Sequence, residues 1–94
     1  MNLDIRIQNE IITQAKKYHI GKVILFGSRA RGDNKEKSDI DLAVTGGNVT
    51  GFRLAVDDEV RTLLMFDVVN LDEPVKKLLL QSIEREGVIL YEKV

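Results

Sequence analysis

A short apolar run that stops at a Gly-Ser pair constrains this chain more than any other feature. The run, Lys22 to Phe26 (KVILF), is rich in β-branched residues and is typical of a buried strand. A turn at 27–32 then leads into a short helix, and a polar loop follows at 33–38. The next run, 39–44 (DIDLAV), alternates polar and apolar residues and predicts a second strand.

The rest of the chain continues this alternation of helices and strands. The remaining predicted elements are an amphipathic helix at 3–18, a helix at 50–64, a strand at 65–71, a helix opened by Pro74 and closed by Gly87, and a strand at 88–91. The order α-β-α-β-α-β-α-β predicts an α/β (α+β) fold with a mixed β-sheet of about four strands and helices packed on it.

Length and composition exclude several classes of protein. We expect the 94 residues, 1–94, to form a single domain, because they are too few for two ordinary ones. No apolar run approaches the ~20 residues of a membrane span, and the first ten residues lack the layout of a signal peptide. A net charge of −1 argues against strong direct nucleic-acid binding, and the absence of cysteine is compatible with a cytoplasmic location.

Two aspartates sit one residue apart in the second strand. Residues i and i+2 of a strand point to the same face, so Asp39 and Asp41 share one side while Ile40 and Leu42 take the other. Mg²⁺ is held well by such carboxylates together with waters and substrate phosphates. The alternative is that both aspartates lie on the solvated side of an edge strand.

A third carboxylate, Asp67, interrupts an apolar run at 65–71 that otherwise predicts a buried strand. A carboxylate in such a run is costly unless it is paired or bound to metal. If this strand lies beside 39–44, three carboxylates surround one or two Mg²⁺ ions, which compensate their repulsion. An outward-facing residue on an edge strand is the alternative, and Asp72 is the rival third carboxylate.

The Gly-Ser turn suits a phosphate. Gly27 permits close backbone approach, Ser28 adds a hydroxyl, and the backbone N–H groups of the helix start are donors. Arg29 and Arg31 add fork-shaped cationic donors that match phosphate oxygens. A solvated turn with two surface arginines is the alternative.

The segment GSRARGDNKEKSDIDL, followed by FDVV, resembles the DNA polymerase β-like nucleotidyltransferase superfamily and, within it, the minimal nucleotidyltransferase (MNT) domains. The residues that match the family pattern in order and spacing are Gly27, Ser28, Ala30, Arg31, Gly32, Ser38, Asp39, Asp41 and Asp67. Arg29 occupies a variable position of that pattern and is assigned no role.

The resemblance implies transfer of a nucleoside monophosphate, with ATP as the expected donor, Mg²⁺ (two ions expected) as cofactor and pyrophosphate as product. If the matching positions keep the roles they have in the family, Gly27, Ser28 and Arg31 would bind the nucleotide. Asp39, Asp41 and Asp67 would be the catalytic metal ligands, with Asp67 also helping to deprotonate the acceptor hydroxyl.

The resemblance also implies a partner. Larger members carry an extra acceptor-binding domain for which this chain has no room, and stand-alone MNT proteins resemble antitoxins of HEPN-type toxins, which they modify with AMP, typically on tyrosine. We therefore expect a protein adenylyltransferase that neutralises a toxin. The alternatives are a non-catalytic binding module and a small-molecule nucleotidyltransferase whose acceptor site comes from another chain or from an oligomer.

Overall fold

All eight predicted elements occur in the predicted order in the computed structural model, which describes residues 1–94. They are α1 (Ile5–Lys17), β1 (Lys22–Phe26), α2 (Ser28–Arg31), β2 (Ile40–Thr45), α3 (Val49–Glu59), β3 (Phe66–Asn70), α4 (Lys77–Glu86) and β4 (Val88–Glu92). No helix combines the length and the apolar character that crossing a membrane requires.

The four strands form one mixed sheet in the order β3-β2-β1-β4. The central strand β1 is antiparallel to β2 and to β4, whereas β2 and β3 are parallel. The prediction of a mixed sheet of about four strands with packed helices is therefore confirmed. The parallel pair is joined through α3, as a parallel connection requires a crossover.

The two faces of this sheet are covered unequally. On one face, here called the core face, the strands contribute side chains such as Leu25, Leu42 and Val44, which pack with α1 and α3 into the main hydrophobic cluster. On the other, here called the site face, Phe26 and Ala43 form a smaller cluster with Ile83 of α4. A single helix thus covers the site face, on which Asp67 and Ile89 remain exposed.

Helix α1 illustrates how the sequence pattern produces the core face. Asp4 caps the helix by accepting a hydrogen bond from the N–H of Arg6, at 2.7 Å. Ile7, Ile11 and Ala15, spaced by four residues, are all buried in the main cluster.

Helix α3 is shorter than predicted, because it ends at Glu59 rather than at 64. Val60 leaves the helix in an extended conformation, and its side chain is buried. The next segment then places Leu64 against the main cluster, whereas Leu63 is fully exposed. The apolar residues Val60, Leu63 and Leu64 therefore have the spacing of a helical stripe, although this segment is not helical.

The start of α4 was also predicted wrongly. The helix begins at Lys77, three residues after Pro74. A turn at 71–73 precedes it, and Asp72 accepts hydrogen bonds from the Thr45 hydroxyl at 2.5 Å and from the Gly46 N–H at 2.8 Å. Asp72 thus joins two loops.

Candidate functional site

Asp41 and Asp67 are direct neighbours across the parallel pair of strands. In the register of β2 and β3, Asp41 lies opposite Asp67, and on its other side it lies opposite Phe26 of β1. Neighbouring strands are ~4.8 Å apart, so the two carboxylates project side by side. Asp39 precedes β2 by one residue and is close enough to Asp41 for its charge to act on that carboxyl. The condition stated from the sequence, that the third strand lies beside the second, is therefore met.

The three carboxylates differ in exposure. Asp41 is half-buried, whereas Asp39 and Asp67 are exposed. The sequence left open whether Asp67 lies in a buried strand or faces outward from an edge strand, and β3 is an edge strand. Asp67 consequently carries no large burial cost, and its relevance to the site rests on its position beside Asp41.

The pKa of Asp41 reflects both its partial burial and the negative charges around it. Partial burial raises the pKa of its carboxyl to about 6, with further raising contributions from the charges of Asp67 and Asp39. The nearby Arg31 guanidinium opposes this shift, while Glu86 adds to it. A cation beside Asp41 would relieve both the repulsion and the desolvation of the charged form.

Gly27 brings the Gly-Ser turn into direct contact with Asp41. Its backbone has φ 74° and ψ −157°, a combination that side chains disfavour. A Cβ atom at this position would collide with the Oδ2 atom of Asp41. Glycine is therefore required both for the shape of the turn and for the close approach of the turn to the carboxylate.

The turn continues into the four-residue helix α2, with half-buried Ser28 as its first residue. The Gly27 carbonyl accepts hydrogen bonds from the N–H groups of Ala30 and Arg31, each at 3.1 Å. Gly32 ends the helix in the left-handed conformation, with φ 85°. These bonds give the turn a fixed shape next to Asp41.

Arg31 lies at the surface near the carboxylates. Its guanidinium donates to Glu86 of α4 at 2.9 Å and to Asp33 at 3.0 Å. The hydrogen bond to Glu86, followed by that to Asp33, raises the pKa of Arg31. The structure thus places this predicted phosphate ligand close to the site, in contact with two carboxylates of the chain.

Arg29 is a residue to which the family resemblance assigned no role. It is the one buried charged residue, and its guanidinium donates to backbone carbonyls of the loop at 33–38. In the sequence both arginines lie in the same charged stretch, and nothing distinguishes the buried one from the exposed one.

The rival third carboxylate, Asp72, lies away from the other aspartates. Its partners, Thr45 and Gly46, are at the end of β2, whereas Asp39 and Asp41 are at its start. Four residues of strand separate Asp41 from Thr45 by ~13 Å. The hydrogen bond from Thr45, and then that from Gly46, lowers the pKa of Asp72, which therefore has a role in holding loops.

The donor set around Asp41 fits a hard divalent cation. No group of three His, Cys, Asp or Glu side chains converges closely enough to form a complete metal cage. Mg²⁺ does not need one, because it commonly takes one or two carboxylates and completes its shell with waters and substrate phosphates. Asp39, Asp41 and Asp67 supply oxygen ligands of the right kind on an open face.

The site is an open surface and not a cavity. Two surface cavities of about 370 and 350 Å³ are lined mainly by apolar side chains. The first lies between the end of α3 and β3, and the second between α4 and the strands β1 and β4. Neither is lined by any of the predicted site residues.

Sequence comparison identifies the family. The profile described as polymerase β nucleotidyltransferase matches residues 9–94, which is most of the chain. The chain therefore belongs to the polymerase β nucleotidyltransferase family and is a nucleotidyltransferase.

One relative is similar to the chain in sequence, and two solved structures are similar to it in fold. A protein of Methanocaldococcus jannaschii, provisionally named protein adenylyltransferase MJ0604, is 39% identical over 71 residues, covering 73% of this chain and 69% of the relative. The chain is similar in fold to the MntA-HpeT toxin-antitoxin (22% identity, TM-score 0.73, 98% of this chain and 75% of that chain). It also resembles a toxin-antitoxin solved with AMP-PNP (24% identity, TM-score 0.70, 92% of this chain and 73% of that chain).

Proposed function

We propose that this protein is a Mg²⁺-dependent protein adenylyltransferase that transfers AMP from ATP to a hydroxyl of a partner toxin of the HEPN type and so neutralises it. The observation that carries the proposal is the contact between Gly27 and Asp41, with Asp67 beside Asp41. This arrangement brings the Gly-Ser turn and a carboxylate cluster together at one point of an open surface, which supports binding of a nucleotide there.

Each residue then has a defined task. Gly27 and Ser28 hold the β- and γ-phosphates, and Arg31 contacts the same phosphates from the surface of α2. Asp39, Asp41 and Asp67 would hold the Mg²⁺ ions, which supply charge neutralisation on the phosphates when bound. The carboxylate of Asp67, exposed on the edge strand, accepts the proton of the acceptor hydroxyl.

The reaction balances as a single displacement. The acceptor oxygen forms a bond to the α-phosphorus of ATP, and the bond between that phosphorus and the bridging oxygen to the β-phosphate breaks. The carboxylate of Asp67 accepts the proton of the hydroxyl. Pyrophosphate is released from the turn at Gly27 and Ser28. The product is an AMP ester of the acceptor.

The choice of donor and acceptor draws on the relatives. The name of the Methanocaldococcus jannaschii protein supports a protein as acceptor. The neighbour solved with AMP-PNP, an ATP analogue, supports ATP as donor, and the toxin-antitoxin neighbours support a toxin as partner. The open site adds a physical argument, because a folded protein reaches an open face more easily than a narrow cavity. We expect the reaction to take place in the cytoplasm.

The test is to mix the protein with Mg²⁺, each nucleoside triphosphate in turn and the product of the neighbouring gene, and to record intact masses. We expect the partner to gain one or more AMP units with ATP and to lose its toxic activity. A mass gain with another nucleotide would correct the donor while supporting the reaction.

Two other outcomes separate the alternatives. A tight complex that neutralises the partner without any mass change would identify a non-catalytic binding module. Transfer to a small molecule, with the partner unmodified, would identify a small-molecule nucleotidyltransferase. Because none of the three site aspartates lines either surface cavity, the second outcome would point to an acceptor site supplied by another chain.

A further inference from the structure

Arg29 is buried to an unusual degree for a charged residue. Its exposed fraction is 6%, and every other buried residue of the chain is apolar. None of the ion pairs in the structure includes it. A buried charge without a carboxylate partner is costly unless hydrogen bonds satisfy it, so this arginine needs a specific explanation.

The hydrogen bonds of Arg29 all lead to backbone carbonyls. Its Nε donates to the carbonyl of Ser38 at 3.0 Å, and its Nη2 donates to that of Glu36 at 3.0 Å. Nη1 makes a longer contact of 3.4 Å with the carbonyl of Asn2. The planar fork of the guanidinium can serve these separate acceptors at once, which a lysine ammonium on its flexible stem cannot do.

These contacts fix the backbone on one side of Asp39. Ser38, whose carbonyl Arg29 holds, is the residue directly before Asp39. On the other side, the N–H of Ile40 donates to the Met65 carbonyl at 2.9 Å, where β2 meets the chain entering β3. Asp39 is thus an exposed side chain on a backbone that is tied at both flanking residues.

The loop at 33–38 has few other anchors. Within it, Ser38 and Lys35 bond to each other through the Ser38 Oγ and both backbones, at 2.9 and 3.1 Å. The exposed Arg31 holds Asp33 at the beginning of the loop. Arg29 is therefore the link that joins the end of the loop to α2, the same helix that carries Ser28 of the Gly-Ser turn.

We propose that Arg29 is a positioning residue that sets the distance between the Gly-Ser turn and the carboxylate of Asp39 by holding the end of the 33–38 loop. This inference rests on the proposed function in so far as Asp39 is a metal ligand. A residue that positions a ligand without touching the metal commonly changes metal affinity by about 10- to 100-fold.

The experiment compares R29K and R29M with the wild-type protein, with R6M as the control. Arg6 is an arginine of α1 that also donates to a distant backbone carbonyl, that of Arg61 at 2.7 Å, and touches no proposed site residue. Two quantities are measured well below the unfolding temperature of every variant. They are Mg²⁺ affinity by calorimetry and hydrogen exchange of the backbone amides at 33–40.

We expect R29M and R29K to bind Mg²⁺ about 10-fold more weakly or worse, with faster exchange confined to residues 33–40. R6M should match the wild type in both measurements. If R29M does not fold, R29K decides, because lysine keeps the charge and the aliphatic stem and loses only the fork. A merely structural role predicts a lower unfolding temperature with unchanged Mg²⁺ affinity, and that result overturns the inference.

The failure of the proposed function gives a different result. If the wild-type protein binds no Mg²⁺ and transfers no nucleotide, the assignment of the metal site is wrong. The proposed positioning role of Arg29 in that site is then rejected as well. If the wild type binds Mg²⁺ and transfers AMP while both Arg29 variants keep wild-type Mg²⁺ affinity, only the inference about Arg29 fails.

Discussion

The core face and the site face of the same sheet carry opposite kinds of side chain, and β2 shows the contrast within one strand. Ile40, Leu42 and Val44 are completely buried on the core face. Asp41 projects from the other face, where partial burial and two neighbouring carboxylates raise its pKa to about 6. Burial in the core is thus concentrated on one face, which leaves the other face free to hold mutually repelling groups.

The strongest test of this division is the double variant D39N/D41N. It should reduce nucleotide transfer by roughly 10⁴-fold, since it removes two of the three carboxylates that would hold Mg²⁺, and bound Mg²⁺ would neutralise the charge of the phosphates. Stability without metal should be unchanged or higher, because the variant also removes repulsion. Intact-mass assays measure the first effect and urea unfolding the second. Full transfer activity in the double variant would show that the site is elsewhere.

The second prediction compares one helix side chain from each face. Ile11 of α1 is fully buried on the core face, whereas Leu79 of α4 is half-buried on the site face. We expect I11A to lower the free energy of unfolding by about 3–4 kcal/mol and L79A by about 1 kcal/mol. Urea unfolding of both variants gives the comparison. Equal losses would mean that α4 contributes as much to stability as α1.

The third prediction concerns the segment that imitates a helix after α3. Leu64 packs on the main cluster, while Leu63 has no protection from solvent. We expect L64A to cost about 1–2 kcal/mol of stability and L63A less than about 0.5 kcal/mol. Chemical denaturation of the two variants checks this. A large loss for L63A would indicate that the helix continues through this segment in solution.

These cases show what the sequence could and could not reveal. Period-two alternation at 39–44 and period-four spacing in α1 reflect burial on one face, so the elements and the sheet class were predictable. The adjacency of Asp41 and Asp67 was also predictable, as a consequence of pairing two short strands. The end of α3 was not, because Val60, Leu63 and Leu64 are apolar in either conformation.

The role of Arg29 was unpredictable for a different reason. Arg29 and Arg31 have the same chemistry and lie on the same short helix, but one is buried under the loop and the other faces solvent. This difference depends on the path of the 33–38 loop, which carries no periodic pattern. Side-chain identity alone therefore suggested phosphate contacts for both.

The smallest expected effect is the most direct measure of repulsion on the site face. Since the pKa of Asp41 is raised from 3.8 to about 6 by folding, the folded protein binds a proton more tightly than the unfolded chain. Its contribution to stability is therefore least unfavourable at low pH and becomes more costly as the pH rises from about 4 to about 6. The full shift corresponds to ~3 kcal/mol, which solvent screening of a half-exposed group reduces to about 1 kcal/mol.

The variant D41N isolates this contribution in urea unfolding without metal. At pH 4, where much of the Asp41 cost is absent, D41N and the wild type should be nearly equal in stability, and at pH 7.5 D41N should be more stable by about 1 kcal/mol. Adding Mg²⁺ at pH 7.5 should then stabilise the wild type more than D41N, because the cation binds the ionised carboxylates of the folded state. A stability difference that stays constant between the two pH values would contradict charge repulsion as its cause, and the site face would then resemble the core face in depending only on packing.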